Sequence, residues 1–282
     1  MLTVNSLSGG QTSSYIAANY PANYNVFALV RIEDQRCRFP DEKIRREVED
    51  RIQAPFIATA EDDMIIYTML DLEQFIGQKI DWVTGYTFEH LIRKRNGGRL
   101  PNKVERNCTT YLKMLPMFEW WYKTIGKPVE MRIGFRANEI ERANKTLSQT
   151  DENGFNYFKG IVGKTKDGKR NRWAELPWRK PSFKLIEDNV YKMDINNFWN
   201  GKPVRFAEIN NCLFCHVRTP MLLNLQFQKH PVKGQWWIDQ ENESKGTWKT
   251  ELTYEQIRQY KTQLKLALDD FSECDSGYCE IA

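Results

Sequence analysis

Residues 4–20 read VNSLSGGQTSSYIAANY, and this stretch decides the fold. An apolar run over residues 1–7 predicts a short buried strand. It stops at Ser8-Gly9-Gly10, and residues 13–20 predict a helix. A strand, a glycine-rich loop and a helix in that order expose backbone N–H groups beside the positive end of a helix dipole. Such a loop holds phosphate oxygens, with the Ser8, Thr12, Ser13 and Ser14 hydroxyls as further donors. The Gly-Lys-Ser/Thr ending of a Walker loop is absent, and so is the G-x-G-x-x-G spacing of dinucleotide folds. On its residues alone, the loop also reads as a tight turn.

Outward from that loop, strands and helices alternate. Residues 25–32, NVFALVRI, predict a second strand. Phe39-Pro40-Asp41 opens a helix, with Pro and Asp suited to a first turn and Ile44, Val48 and Ile52 on one face. After Pro55 comes the apolar stretch FIATA. Residues 107–123 predict helix on either side of Pro116, and residues 129–134, VEMRIG, another strand. The class is therefore α/β, a doubly wound and mostly parallel sheet covered on both faces. Its ligands are expected at the carboxyl ends of the strands.

Two segments stand apart. Residues 151–181 are basic and interrupted by Gly154, Gly160, Gly163 and Gly168, with a hairpin turn at Asp167-Gly168. They predict a β-hairpin-like excursion, either a solvated loop or a functional lid. Its Lys and Arg near Tyr157, Phe158, Trp173 and Trp178 also suit a phosphate track with stacking platforms, hence a nucleic-acid substrate. Residues 253–271 predict a helix. Thr253 and Gln256 form its capping box, Leu252 and Ile257 its staple, and Ile257, Tyr260, Leu264, Leu268 and Phe271 a core-packing stripe. The expected division is a nucleotide-binding domain over 1–220 and a helical, cysteine-bearing segment over 221–282.

The chain has 282 residues and a net charge of +4, too little to establish an acidic partner. No run approaches the roughly 18 apolar residues of a membrane span. With no signal-like N-terminal pattern, the expected location is the cytoplasm. In a reducing compartment, spaced cysteines point to metal or redox chemistry. Of the six, Cys212 and Cys215 form a C-x-x-C, while Cys108, Cys274 and Cys279 lie far from it. The readings are a metal site, a redox pair at 212 and 215, or a buried structural Cys108. Cys37 reads as structural, and His90 and His230 as surface or packing histidines.

A second motif, GFRANEIER over 134–142, carries Arg136, Glu139 and Arg142. Two arginines around a glutamate at a strand end suit a phosphate or sulfate, and also suit a plain set of helix-face ion pairs. Together, SLSGGQTSS, RNCTTYLK over 106–113 and GFRANEIER resemble the phosphoadenosine phosphosulfate (PAPS) reductase-like family of the PP-loop adenine nucleotide α-hydrolase-like group. Thr12 stands where the family loop carries an acidic residue, as in its phage and mobile-element branch. The resemblance covers roughly residues 1–220. It implies an adenine nucleotide, ATP or PAPS with Mg²⁺, at Ser8, Gly9, Gly10, Thr12, Ser13 and Ser14, with Glu139 assisting. Arg136 and Arg142 would stabilise phosphate or sulfate charge, and Cys274 would carry or reduce sulfur. Cluster-bearing members imply a [4Fe–4S] cluster on Cys108, Cys212, Cys215 and Cys279, with Cys274 able to replace Cys279. The alternative is zinc on the same set, with His216 as a further ligand. The tail SECDSGYCEIA lacks the full Glu-Cys-Gly-hydrophobic-His ending of the sulfate-reducing enzymes. The expected function is adenylylation or handling of an adenylylated sulfate, coupled to sulfur transfer or reduction with a sulfur- or electron-donor protein. The alternative is a non-catalytic nucleotide-binding or sensing module.

Overall fold

The computed structural model describes residues 1–103 and 105–260. Its centre is a six-stranded sheet in the order β5-β2-β1-β6-β8-β7. The strands are β1 (Thr3–Leu7), β2 (Tyr24–Ala28), β5 (Ile80–Val83), β6 (Val129–Arg132), β7 (Asn156–Lys164) and β8 (Asn171–Ser182). All neighbouring pairs are parallel except β7 with β8. A separate antiparallel pair joins β3 (Arg31–Ile32) to β4 (Ala58–Thr59). The expected strand over 25–32 is thus two strands, broken at Leu29-Val30.

Helices cover both faces, as a doubly wound α/β fold requires. On one side α1 (Gln11–Asn19), α2 (Glu42–Ile52), α3 (Met64–Ile76) and α8 (Lys192–Trp199) close a core with Phe27, Met69, Leu72 and Trp82. Asp41 caps α2, accepting from the Lys43 and Ile44 amides at 2.9 and 3.1 Å, so Pro40 lies just outside the helix. On the other face α5 (Leu115–Thr124) packs Phe118 and Trp121 against Val129, Met131 and Trp178. A wide-wound turn over Thr109–Met114 leads into α5, with Pro116 in its first turn, where no N–H is needed. α6 (Ile140–Leu147) follows β6, and the one-turn α7 (Lys184–Glu187) follows β8.

A third core lies beside β3 and β4. It gathers the short α4 (Phe88–His90) with α9 (Pro220–Lys229), α10 (Pro231–Glu243) and α11 (Tyr254–Gln259) around Phe88, Trp236, Trp237 and Trp248. Residues on both sides of position 220 share this core. The Thr253–Gln256 capping box forms, but the backbone is extended at Tyr260 and its side chain is exposed, so α11 stops at Gln259. The rest of the expected stripe lies outside the described residues. Among the described residues no helix is long and apolar enough to cross a membrane.

The basic hairpin forms but is anchored in the sheet, because the last residues of β8 pair with β6 from Val129↔Arg179 onward. Phe158 and Trp178 are packing residues against Phe118, not stacking platforms. Its turn closes with Gly168 at φ +71, a conformation that favours glycine.

Candidate functional site

From β1 the chain turns to β2 and then β5 on one side, and comes back as β6 on the other. The carboxyl ends of β1 and β6 therefore flank a topological switch point, the usual crevice for ligands in such sheets. The Ser8–Ser14 loop leaves one end and GFRANEIER the other.

The loop is tightly built. Gly9 has φ +82, and a Cβ there would lie 2.4 Å from Ile65 Cγ2 of α3. Gly10 caps α1, and a Cβ on it would lie 2.1 Å from Asn210 Nδ2. A side chain at position 10 would have to displace the Asn210 amide, and one at position 9 would meet Ile65 at a φ that favours glycine. The Ser13 hydroxyl accepts from the Ser8 amide at 3.1 Å and lies 3.0 Å from the Ser8 hydroxyl, so it braces the loop from within. Thr12 and Ser14 are buried, and the Ser14 hydroxyl has no hydrogen-bond partner. No side chain caps α1, and its first turn holds no acidic residue. An anion at this helix end would meet no competing carboxylate from the helix itself.

In the second motif the Glu139 carboxylate gathers both arginines. Its Oε2 accepts from the Arg136 amide at 2.9 Å and from Arg136 Nε at 3.1 Å, while Oε1 accepts from Arg142. The Arg142 guanidinium lies 4.4 Å from the Phe135 ring centre, and Phe135 stacks on Phe183. The three residues form the ion-pair set that their spacing allowed, with both guanidiniums held at the strand end.

The cysteine segment is brought against the loop. Asn210, whose amide touches Gly10, precedes Asn211 at φ +64 and then Cys212, which bridges Glu61 in a short antiparallel contact. Cys212, Cys215 and Arg218 are tied together by the Cys215 amide to Cys212 O at 3.2 Å and Arg218 Nε to the same oxygen at 3.3 Å. Lys249 donates to His216 O and Arg218 O, and the Tyr254 hydroxyl to Phe214 O.

Cys108 and Cys212 are each within electrostatic range of Cys215. Burial pushes the Cys108 thiol up to about 12, and Cys215 adds to the shift. Burial also raises Cys212 well above its ordinary value, against the pull of Lys113. Lys113 links this group to a buried carboxylate. Its Nζ lies 2.9 Å from Glu61 Oε1 and 3.1 Å from Asn211 Oδ1, and Glu61 is 1% exposed. Burial opposes the Lys113 charge, but Glu61 and the thiols outweigh it and hold the ammonium above its ordinary pKa.

Cys108, Cys212 and Cys215 are donors of the type that a thiolate-bound metal or cluster takes. Among the described residues, however, no three Cys, His, Asp or Glu side chains close into a set that would hold a metal ion. Cys274 and Cys279 lie outside the described residues. The Cys37 thiol lies near Val232 O and is raised by burial to about 11. His216 is buried and its Nε2 has no hydrogen-bond partner.

Sequence reasoning missed Glu61, Asn210, Asn211 and Lys249. Glu61 follows FIATA, where a charge directly after an apolar run was the available signal. The asparagines gave none, since Asn210 meets Gly10 and Asn211 meets Lys113, both far away in the chain. No known protein family, curated protein or solved structure matches this chain.

Proposed function

We propose that the chain is a PAPS reductase-like enzyme. It binds an adenine nucleotide, ATP or PAPS with Mg²⁺, at the Ser8–Ser14 loop and couples it to cysteine-dependent sulfur transfer or reduction. The observation that carries this reading is the contact of Gly10 with Asn210, which sets the anion-ready end of α1 against the segment bearing Cys212 and Cys215. Backbone N–H groups at α1 would hold phosphate oxygens. In adenylylation, an acceptor oxygen forms a bond to the α-phosphorus as the bond to the bridging oxygen breaks, and pyrophosphate leaves with that electron pair. Arg136 and Arg142, aligned by Glu139, would stabilise the charge that builds on the phosphoryl oxygens. Cys108, Cys212 and Cys215, with Cys279, would hold a [4Fe–4S] cluster, which when bound supplies one-electron chemistry beside the nucleotide. Cys274 is the candidate for the free thiol.

A second reading is a nucleotide-binding module with structural zinc. The partnerless Nε2 of buried His216, next to Cys215, favours it, since zinc commonly takes Cys and His together.

Anaerobic purification with iron, zinc and sulfide analysis, followed by assays for nucleotide binding and for AMP and pyrophosphate, separates the readings. The enzyme is expected to hold iron and sulfide near four each, as a cubane requires. It should release AMP or pyrophosphate from ATP when an acceptor is supplied, or adenosine 3′,5′-bisphosphate and sulfite from PAPS when a thiol reductant is supplied. Stoichiometric zinc with binding but no product supports the module. Absence of nucleotide binding refutes both.

A further inference from the structure

Positive charge is concentrated in two segments. Residues 93–106 carry six Lys and Arg against one Glu, and residues 156–182 carry eight against two acidic residues. These segments hold +5 and +6, while the whole chain holds +4, so the remainder is net negative at −7. Among the described residues, their ion pairs are Arg93–Glu243 and Arg99–Glu105. Lys94, Lys166, Lys169 and Arg170 are exposed and have no ion-pair partner among those residues, and exposed Lys103 acts on Glu251 without a close ion pair.

The fold brings the two segments together. Gly160 lies so close to α5 that a Cβ would be 2.1 Å from Phe118 Cδ1, so the hairpin lies across that helix. Farther along it, the Trp173 ring meets Arg95, whose guanidinium is 5.8 Å from that ring centre, 5.1 Å from Tyr111 and 4.9 Å from Tyr86. Arg95 also donates to the Tyr86 hydroxyl at 2.6 Å. The Tyr86 ring stacks on His90, centres 4.6 Å apart and planes 3° from parallel. His90 is the exposed end of this row of rings around one cation.

A cleft of about 320 Å³ opens there, walled by Ile32, Ile57 and Pro55 and bordered by Tyr86, His90 and Glu33. Arg31 also lines it, with its guanidinium donating to Thr84 Oγ1, Pro55 O and Gly85 O. Thr87 donates to Glu33 Oε1 at 2.8 Å and so orients that carboxylate. Apolar walls, an aromatic edge and one oriented acceptor suit a flat heterocycle with an exocyclic amine, and the volume is at the small end of the ~300–1,000 Å³ range of ligand sites.

We infer that this face binds single-stranded nucleic acid, DNA or RNA, with phosphates along the cations of 93–106 and the hairpin and one unstacked base in the cleft against His90. Cationic grooves with stacking rings are the means by which single strands are held, and a duplex keeps its base faces covered. Glu33 would accept from the exocyclic amino group of cytosine, as carboxylates do, whereas thymine carries a carbonyl oxygen at that position and would set acceptor against acceptor. The inference goes beyond the nucleotide loop and does not rest on it.

Fluorescence anisotropy on the full chain, with labelled oligo(dC), oligo(rC), oligo(dT) and a duplex of equal length, tests it. Tighter binding of oligo(dC) or oligo(rC) than of duplex is expected, and the tighter of the two names the source. Raising salt from about 50 to 200 mM should weaken binding at least about tenfold. Reversing charge at the exposed turn, K166E/K169E/R170E, should also cost at least about tenfold and flatten the salt dependence. The exposed His90→Ala should cost about fivefold or more on single strands. Duplex bound as tightly as single strand, indifference to charge reversal, or indifference to His90→Ala would overturn the inference. Equal affinity for oligo(dT) and oligo(dC) would overturn the assignment of the cleft. Adenine-nucleotide binding, measured on the same preparations, reports separately on the loop at Ser8–Ser14.

Discussion

Gly10 and Asn210 touch across 200 residues of chain, and no side chain fits between them: a Cβ at position 10 would lie 2.1 Å from Asn210 Nδ2 and 2.7 Å from its Cγ. Gly10 has an ordinary φ of −95°, so the demand for glycine is steric and not conformational. Gly10→Ala should therefore displace the Asn210 side chain and, on the proposed function, weaken adenine-nucleotide binding at least about tenfold, some 1.4 kcal/mol. Removing the opposing side chain in Gly10→Ala/Asn210→Gly should restore most of that loss. Calorimetric titration of the four corners of this cycle measures the coupling. Gly9 is the contrasting case. At φ +82 and 2.4 Å from Ile65 Cγ2, Gly9→Ala is strained whatever is done to Ile65.

Lys113 and Glu61 form a buried ion pair that neither partner can leave alone. Glu61 Oε1 accepts from Lys113, while Oε2 is buried without a partner. Lys113→Met strips the cation from that carboxylate and is expected to cost about 3–5 kcal/mol of stability. Glu61→Gln combined with Lys113→Met removes both charges and should regain most of it. Denaturant unfolding of both variants checks the ordering. Equal loss in the single and double variants would show that Lys113 acts through the thiols instead.

The parts legible in the sequence were those written in local pattern. The first loop, the alternation of strands and helices, the Asp41 start of α2 and the turn at Asp167-Gly168 each rest on residues within a few positions of one another. Long-range contacts were not legible. Nothing near Gly160 announces that Phe118 will sit on it, and nothing near Asn210 announces Gly10. Glu61 reads as an ordinary loop acid until Lys113 and Lys233, the latter donating to its carbonyl at 2.7 Å, enclose it. Apolar spacing likewise predicted one helix over 253–271, but spacing does not report that the backbone is extended at Tyr260; residues 261–271 lie outside the described residues.

Glu89 gives the fold a readable pH dependence. It is 5% exposed, and burial holds its pKa above the ordinary carboxylate value. Oε1 accepts from the Glu33 amide and from Trp236 Nε1, while Oε2 has no partner. Below pH 4.5, the carboxyl is protonated in both folded and unfolded chains and exerts no pH effect. Above it, the unfolded chain ionises first, so stability is lost as pH rises until the folded pKa is passed. Glu89→Gln removes that loss. Its unfolding free energy relative to the parent should climb with pH above 4.5, by at most about 1.4 kcal/mol per unit, and then level. A difference flat across this window would show that Glu89 ionises as easily folded as unfolded.

Gly160 tests how the hairpin is held. With a Cβ 2.1 and 2.2 Å from the Phe118 ring, Gly160→Ala cannot keep β7 against α5 unless the ring moves. Phe118 is fully buried and touches Trp121, Phe158 and Trp178, so little space is open to it. The expected cost is about 1–3 kcal/mol, the usual range for an overfilled core. The loss should fall first on the hairpin, because β7 is the edge strand and pairs with β8 alone. Limited proteolysis should then cut within 156–171 while the parallel strands stay protected in amide exchange. Phe118→Leu, with a smaller side chain at the point of contact, should partly relieve the clash in the double variant. Uniform loss of protection across all strands would instead make the hairpin part of one cooperative unit with the sheet.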